Sequence, residues 1–153
     1  MFGIVAVICV VVLLVAIVAK RNRDRKQLEE HSITPEDLNA LLASNKDLAL
    51  FDVRFPLDLL SDSMVIPTAK WIAPEEVAAN PLLIPRDRDS IVYCTCPSEE
   101  SSRVVLHRAL ALGFKRIRFL KGGLEGWRSR GFPVEHYDKP FSLSSGTSDV
   151  AVR

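Results

Sequence analysis

The sequence predicts an α/β domain, a mainly parallel sheet flanked by helices, preceded by one transmembrane helix. Short apolar runs alternate with segments of helical periodicity, and this alternation is typical of parallel β-α units. The transmembrane helix is predicted because residues 2–19 include 17 apolar residues out of 18. The 153 residues therefore divide into an anchor (1–19), a basic juxtamembrane linker (20–31), the domain (32–137) and a Ser/Gly-rich disordered tail (138–153).

Composition excludes several classes of protein. The chain has 20 basic and 19 acidic residues, a net charge of +1, whereas nucleic-acid-binding proteins usually carry a clear basic excess. The hydrophobic fraction is 48%, raised by the single apolar run at 2–19, and it excludes both a polytopic membrane protein and a wholly disordered chain. Three cysteines, one of them Cys9 in the apolar run, do not form a disulfide framework.

The apolar run at 2–19 has the length and the flanks of an uncleaved membrane anchor. Eighteen residues in a helix span roughly 27 Å, close to the thickness of the bilayer core. The main alternative is a cleaved signal peptide, which needs basic residues before the run and small residues at the cleavage site. Only Met1 precedes the run, and Ile17 stands two residues before Ala19. We therefore expect the helix to stay attached.

The basic residues after the run set the predicted orientation. Basic residues stay on the cytoplasmic side, so we expect a single-pass protein of the cell (inner) membrane, N-terminus outside and domain in the cytoplasm. The same residues can contact anionic lipid head groups of the bilayer, and this explanation requires no nucleic acid. The cluster contains one acid, Asp24, and five basic residues: Lys20, Arg21, Arg23, Arg25 and Lys26.

The elements of the domain can be justified in chain order. Thr34 has the side chain of a helix cap, and Pro35 suits the first position of a helix that runs to about Ser44. Gly113 ends a second clear helix that begins at Ser102. The remaining predictions are strands at 48–53, 69–73, 90–94 and 116–120, a loop with one helical turn at 56–68, and short helices from Pro74 and at 124–130.

A reactive site is predicted in the cysteine-containing loop that joins the strand at 90–94 to the helix at 102–112. Ligands of an open parallel sheet bind beyond the carboxyl ends of its strands. Backbone N–H groups at a helix start favour an anion and bias a cysteine toward the nucleophilic thiolate. Cys94 and Cys96 are therefore candidate nucleophiles, with burial of both in the strand as the alternative.

Metal binding is not predicted for this pair of cysteines. A metal site would need further Cys or His ligands at suitable spacing, but the three histidines, His31, His107 and His136, are scattered along the chain. We predict no metal and no cofactor.

Four motifs occur in a characteristic order: FDVR at 51–54, IPTA at 66–69, VYC at 92–94, and the segment from ALGF through RIRFLKGGLEGW to GFPV at 111–134. In this order they resemble the rhodanese family of thiosulfate sulfurtransferases, over roughly residues 32–137. The resemblance implies a rhodanese-like sheet and a cysteine thiolate that accepts sulfane sulfur from thiosulfate or a persulfide. It further implies that the resulting persulfide, held by loop amides, passes its sulfur to a thiol acceptor.

The resemblance leaves two positions for the catalytic cysteine. Counting forward along the strand ends on Cys94, whereas counting back from Ser102 and Gly113 ends on Cys96. We favour Cys96, which needs no extra loop residues, although Pro97 removes one loop N–H. Asp52 and Arg54 are predicted to support the loop from the neighbouring strand. The predicted substrate-binding loop comprises Thr95, Pro97, Ser98, Glu99, Glu100, Ser101 and Ser102.

The loop departs from the family pattern, which usually includes Gly and Arg. Glu99 and Glu100 would repel an anionic donor, and Thr68 stands where the family has a turn glycine. We expect a membrane-anchored sulfurtransferase or persulfide carrier; the alternative is a non-catalytic interaction or redox-sensing module tethered to the membrane. A phosphatase of the related cysteine-loop type is disfavoured because no Arg closes the loop.

Overall fold

The structure is a computed structural model that describes residues 2–44, 47–95 and 100–138, with side chains except those of 2–7, Glu100 and Ser101. Its helices are α1 (Phe2–Glu30), α2 (Pro35–Ser44), α3 (Pro56–Ser61), α4 (Pro74–Ala79), α5 (Glu100–Ala111) and α6 (Gly123–Arg128). Its strands are β1 (Ser32–Ile33), β2 (Ala49–Asp52), β3 (Met64–Val65), β4 (Lys70–Trp71), β5 (Ser90–Tyr93), β6 (Ile117–Leu120) and β7 (Glu135–His136).

Five strands form one sheet in the order β1-β6-β5-β2-β4. Every neighbouring pair in it is parallel, and Phe51, Val92 and Phe119 lie in register across β2, β5 and β6. The predicted α/β fold with a mainly parallel sheet is therefore confirmed. All five carboxyl ends meet at one edge, where open sheets bind ligands.

Side chains alternate between the two faces of the sheet, and each face carries its own hydrophobic core. Phe51, Val92 and Phe119 belong to one core, which α4 and α5 cover; the partly buried Leu28 of α1 also packs there. Leu50 and Ile91 belong to the other, which α2 and α6 cover. Because both faces are covered, β2 and β5 are apolar almost throughout, as is usual for parallel strands.

The start of α2 has the predicted capping geometry. The Thr34 hydroxyl oxygen accepts a hydrogen bond from the Asp37 backbone N–H (3.2 Å), and the hydroxyl donates to the Asp37 carboxylate (2.8 Å). This reciprocal pair satisfies one of the free N–H groups at the helix start.

Three two-residue strands were not predicted from the sequence. β1 adds to the edge of the sheet beside β6, and β3 pairs with β7 in a separate antiparallel ribbon. Two residues are too few for a visible alternation pattern. Because residues 64–65 pair with residues 135–136, the segment after α3 is held against the end of the domain.

Helix α1 continues through the predicted linker to Glu30, supported by the i,i+4 ion pair between Arg25 and Glu29. Among the described residues, no helix is both long and apolar enough to cross a membrane. The side chains of residues 2–7, the first part of the predicted anchor, lie outside the described residues. The structure does not support the anchor.

Candidate functional site

The candidate site lies between the end of β5 and the start of α5. Cys94 directly follows β5 and is fully buried, and Thr95 after it is partly exposed. Cys96, Pro97, Ser98 and Glu99 lie outside the described residues, as do the side chains of Glu100 and Ser101 at the start of α5. The described part of the site is therefore its floor, formed by Cys94 and the elements packed around it.

A glycine turn fixes the backbone at Cys94. The Leu124 N–H donates to the Cys94 carbonyl at 2.9 Å, and a Cβ on Gly123 would lie only 2.0 Å from that oxygen. Gly122 and Gly123 also have positive φ, of 72° and 52°, a region that favours glycine. The pair therefore lets the start of α6 approach the end of β5 and hold it.

Asp52 and Arg54, at the end of β2, form a fully buried ion pair. The Arg54 Nε donates to both Asp52 carboxylate oxygens, at 3.0 and 2.8 Å, and Nη2 donates to Oδ2 at 2.6 Å. The remaining guanidinium bonds go to the Asp62 carbonyl (2.8 Å) and the Met64 carbonyl (2.9 Å). The structure thus places Arg54 as a clamp between β2 and the segment after α3.

Tyr93 joins this ion pair to the strand that ends at Cys94. Its hydroxyl oxygen accepts from the Ile66 N–H at 3.1 Å, and the Tyr93 hydroxyl also interacts with the Asp52 carboxylate. Burial, and then the neighbouring Asp52 charge, raises the pKa of Tyr93 well above its usual value. Burial also raises the pKa of Asp52, against the lowering by Arg54. This role of Tyr93 was not predicted, and its only signal in the sequence is a phenol hydroxyl at the end of a mostly apolar strand.

A more exposed ion pair extends the support toward α6. Arg128 donates to both carboxylate oxygens of Asp62, at 2.6 and 2.8 Å. Arg128 is the main cause that lowers the pKa of Asp62, and the Met64 N–H adds to it. Since the Asp62 carbonyl also accepts from Arg54, one short segment joins β2 to the helix that holds Cys94. Neither Asp62 nor Arg128 was singled out from the sequence.

Ser102, in the first turn of α5, is 1% exposed. Within the described part of the chain its hydroxyl has no hydrogen-bond partner. A buried hydroxyl without a partner costs free energy, so this position is suited to a partner from the adjoining loop or from a bound ligand. No group of three or more Cys, His, Asp or Glu side chains in residues 8–44, 47–95 and 102–138 could hold a metal ion.

Comparison with known proteins agrees with this geometry. The model of the rhodanese-like domain family matches residues 34–130. A protein of Allochromatium vinosum named sulfurtransferase is 29% identical over 104 residues, which are 68% of this chain and 94% of that protein.

Solved structures share the fold. A rhodanese-related protein from Thermoplasma volcanium is 26% identical, with a TM-score of 0.56 over 69% of this chain and 97% of its own. A full-length protein from Lactobacillus plantarum is 20% identical, with a TM-score of 0.65 over 77% of this chain and 98% of its own.

Proposed function

Since the chain belongs to the rhodanese-like domain family, we propose that it is a sulfurtransferase in which a loop cysteine carries sulfane sulfur to a thiol. The observation that carries this proposal is the order along the chain, in which Cys94 and Cys96 come after the carboxyl end of β5 and before the start of α5. Backbone N–H groups at such a junction stabilise a thiolate and a persulfide anion. The named activity of the Allochromatium relative points the same way.

The reaction has two sulfur transfers. The cysteine thiolate attacks the outer sulfur of the donor and forms a new S–S bond while the old one breaks. With thiosulfate the leaving group is sulfite, and with a persulfide RSS⁻ it is the thiolate RS⁻. An acceptor thiolate then attacks the outer sulfur of the enzyme persulfide, takes that sulfur and restores the cysteine thiolate. Charge balances in each step, and no redox cofactor is needed.

Cys96 is our choice for the nucleophile. Cys94 is fully buried and its backbone is held by α6, which argues against direct attack by its sulfur on a dissolved donor. Cys96 follows two residues later in the sequence. In this proposal Cys94 supports the loop, whereas Cys96 contacts the donor.

Mass spectrometry of the full chain in detergent tests the proposal. The protein is incubated with thiosulfate or with a small-molecule persulfide, and we expect a gain of one sulfur atom, about 32 Da. Cys96→Ser should abolish the gain, and Cys94→Ser should retain it. If Cys94→Ser alone abolished the mass increase, Cys94 would be the nucleophile. No gain with either donor would contradict the enzyme and favour the interaction or redox-sensing module.

Membrane attachment is a second proposal, and the sequence alone supports it. Residues 2–19 are apolar except for Gly3, and a basic cluster follows them. We therefore place the domain in the cytoplasm of a single-pass protein. The full chain should remain in the membrane pellet after an alkaline carbonate wash, whereas a chain without residues 2–19 should not. Release of the full chain by carbonate would contradict the anchor.

A further inference from the structure

A cavity of about 750 Å³ lies between the second half of α1 and the domain. Val18, Leu28 and Phe119 give it apolar surface. Leu28 also packs on the domain core, which fixes α1 against the domain at this point. One wall of the cavity therefore comes from the basic segment at 20–26, for which the sequence predicts contacts with lipid head groups.

The cavity has a surplus of positive charge. Four cationic side chains and two carboxylates line it, although the whole chain has a net charge of only +1. One carboxylate, Glu29, is already paired with Arg25 at 3.4 Å. The other cations form no ion pair with any described residue. These charged residues are Arg21, Arg25, Arg103 and Lys121, with Asp24 and Glu29.

Two of the cations adjoin the cysteine loop. Arg103 stands in the first turn of α5, directly after the loop. Lys121 directly precedes the Gly122–Gly123 turn that contacts the Cys94 carbonyl. The cavity is thus bordered by the elements on both sides of the loop.

We propose that this cavity binds the charged body of the sulfur donor or acceptor, a small thiol or persulfide that carries carboxylates. The inference rests on the proposed sulfurtransferase function and names its substrate class. Ligands of drug-like size occupy cavities of about 300–1,000 Å³, so this one is much larger than thiosulfate requires. The cations that pair with no described carboxylate suit the carboxylates of a ligand, Asp24 suits an ammonium group, and the apolar side chains suit the carbon skeleton. Cations outside the loop also explain how a loop with two glutamates can serve an anionic substrate.

Binding of an unreactive probe tests the cavity separately from the chemistry. S-methylglutathione carries carboxylates and an ammonium group but no free thiol, and calorimetry on the full chain in neutral phosphatidylcholine nanodiscs measures its affinity. We expect Arg103→Gln/Lys121→Gln to weaken binding about tenfold, because two charge contacts are lost. The matched control, Arg108→Gln/Lys115→Gln, removes the same charges from exposed positions outside the cavity. It should change the affinity by less than about twofold.

Sulfur loading supplies a second measurement. Glutathione persulfide and 2-hydroxyethyl persulfide share the reacting group, but only the first has carboxylates. The cavity double variant should load about tenfold more slowly from glutathione persulfide and at an unchanged rate from 2-hydroxyethyl persulfide. Equal slowing with both donors would overturn the proposal.

The remaining outcomes separate the possible failures. No binding of the probe by the wild type, or equal weakening in the control variant, would overturn the cavity as a substrate site. Loss of probe binding when phosphatidylglycerol is added to the nanodiscs would overturn it too, since lipid head groups would then occupy the cations. If the probe binds but neither persulfide loads a cysteine, the sulfurtransferase function fails while the binding site stands.

Discussion

The ends of β2 and β5 lie side by side, with Asp52 and Tyr93 in register, yet their polar groups are used in opposite ways. Beyond β2, Arg54 directs its guanidinium to Asp52 and to two backbone carbonyls. Beyond β5, the buried Ser102 hydroxyl has no partner within the described residues. The polar groups of the first region satisfy one another, whereas the Ser102 hydroxyl of the second needs a partner from outside the described residues.

This difference assigns the two regions different roles. A buried polar network in which every group is satisfied makes the local structure rigid. A buried hydroxyl that lacks a partner in the described residues suits a place where a loop or ligand completes the structure. We therefore regard the region of Asp52, Arg54 and Tyr93 as the support, and the segment from Cys94 to Ser102 as the reacting part.

Removing Arg54 should have the largest effect, because the support depends on its guanidinium. Arg54→Met leaves Asp52 buried without its ion-pair partner and should lower the free energy of unfolding by about 3–5 kcal/mol. Urea denaturation measures this. The double variant Asp52→Leu/Arg54→Met should recover part of the loss, since no unpaired charge remains. A loss below about 1 kcal/mol in the single variant would show that the network is not the support.

The contact between the start of α6 and Cys94, the first residue of the reacting part, should be nearly as sensitive to substitution. Gly123→Ala places a methyl group against the Cys94 carbonyl and should cost about 3 kcal/mol, together with slower sulfur loading. Gly113→Ala is the matched control, because Gly113 also has a positive φ but has open space around it. It should cost about 1 kcal/mol and leave loading unchanged. Equal losses in both variants would mean that conformation alone, and not the contact with Cys94, requires Gly123.

The fold was predictable where elements are long enough to show a period. β2, β5, α2 and α5 each present a continuous apolar run or an apolar helix face, and the structure has all four near the predicted bounds. β1, β3 and β7 were missed because two residues show no period and because tertiary packing, not local sequence, selects them.

The site was predictable in its order along the chain but not in its contacts. The motifs located Cys94, Asp52 and Arg54 at strand ends, which are set by local sequence. The partners of Arg54, the carbonyls of Asp62 and Met64, lie 8 and 10 residues away and are backbone groups. Any residue type offers a carbonyl, so no sequence pattern could reveal them.

Relief of strain should have a smaller effect, in the opposite direction. Thr68 has a φ of 73°, which is strained for a β-branched residue, in the turn next to the Ile66 N–H that bonds Tyr93. Thr68→Gly should raise the free energy of unfolding by about 1 kcal/mol, the relieved strain less the entropy of the unfolded glycine. Thr68→Ala keeps a Cβ and should gain less. A destabilised glycine variant would show that the exposed threonine side chain supports the turn.

The exposed ion pair between Asp62 and Arg128, at the edge of the support, should give the smallest effect. It should appear as a pH dependence of the free energy of unfolding. Arg128 lowers the pKa of Asp62 in the folded protein, so this pair stabilises the fold above the unfolded pKa, about 3.9. That stability is lost as the pH falls through the lower folded pKa. Arg128→Gln should therefore reduce the difference in urea midpoint between about pH 7 and about pH 3.

The matched control for this measurement is Arg108→Gln, which removes an exposed arginine with no carboxylate partner among the described residues. Other carboxylates with lowered pKa, such as Asp89 beside Arg116, titrate in all variants alike and cancel in the comparison. If Arg128→Gln and Arg108→Gln kept the same pH difference, water would screen the Asp62 pair completely. The support would then end at the buried groups, and Asp62 would contribute through its backbone carbonyl alone.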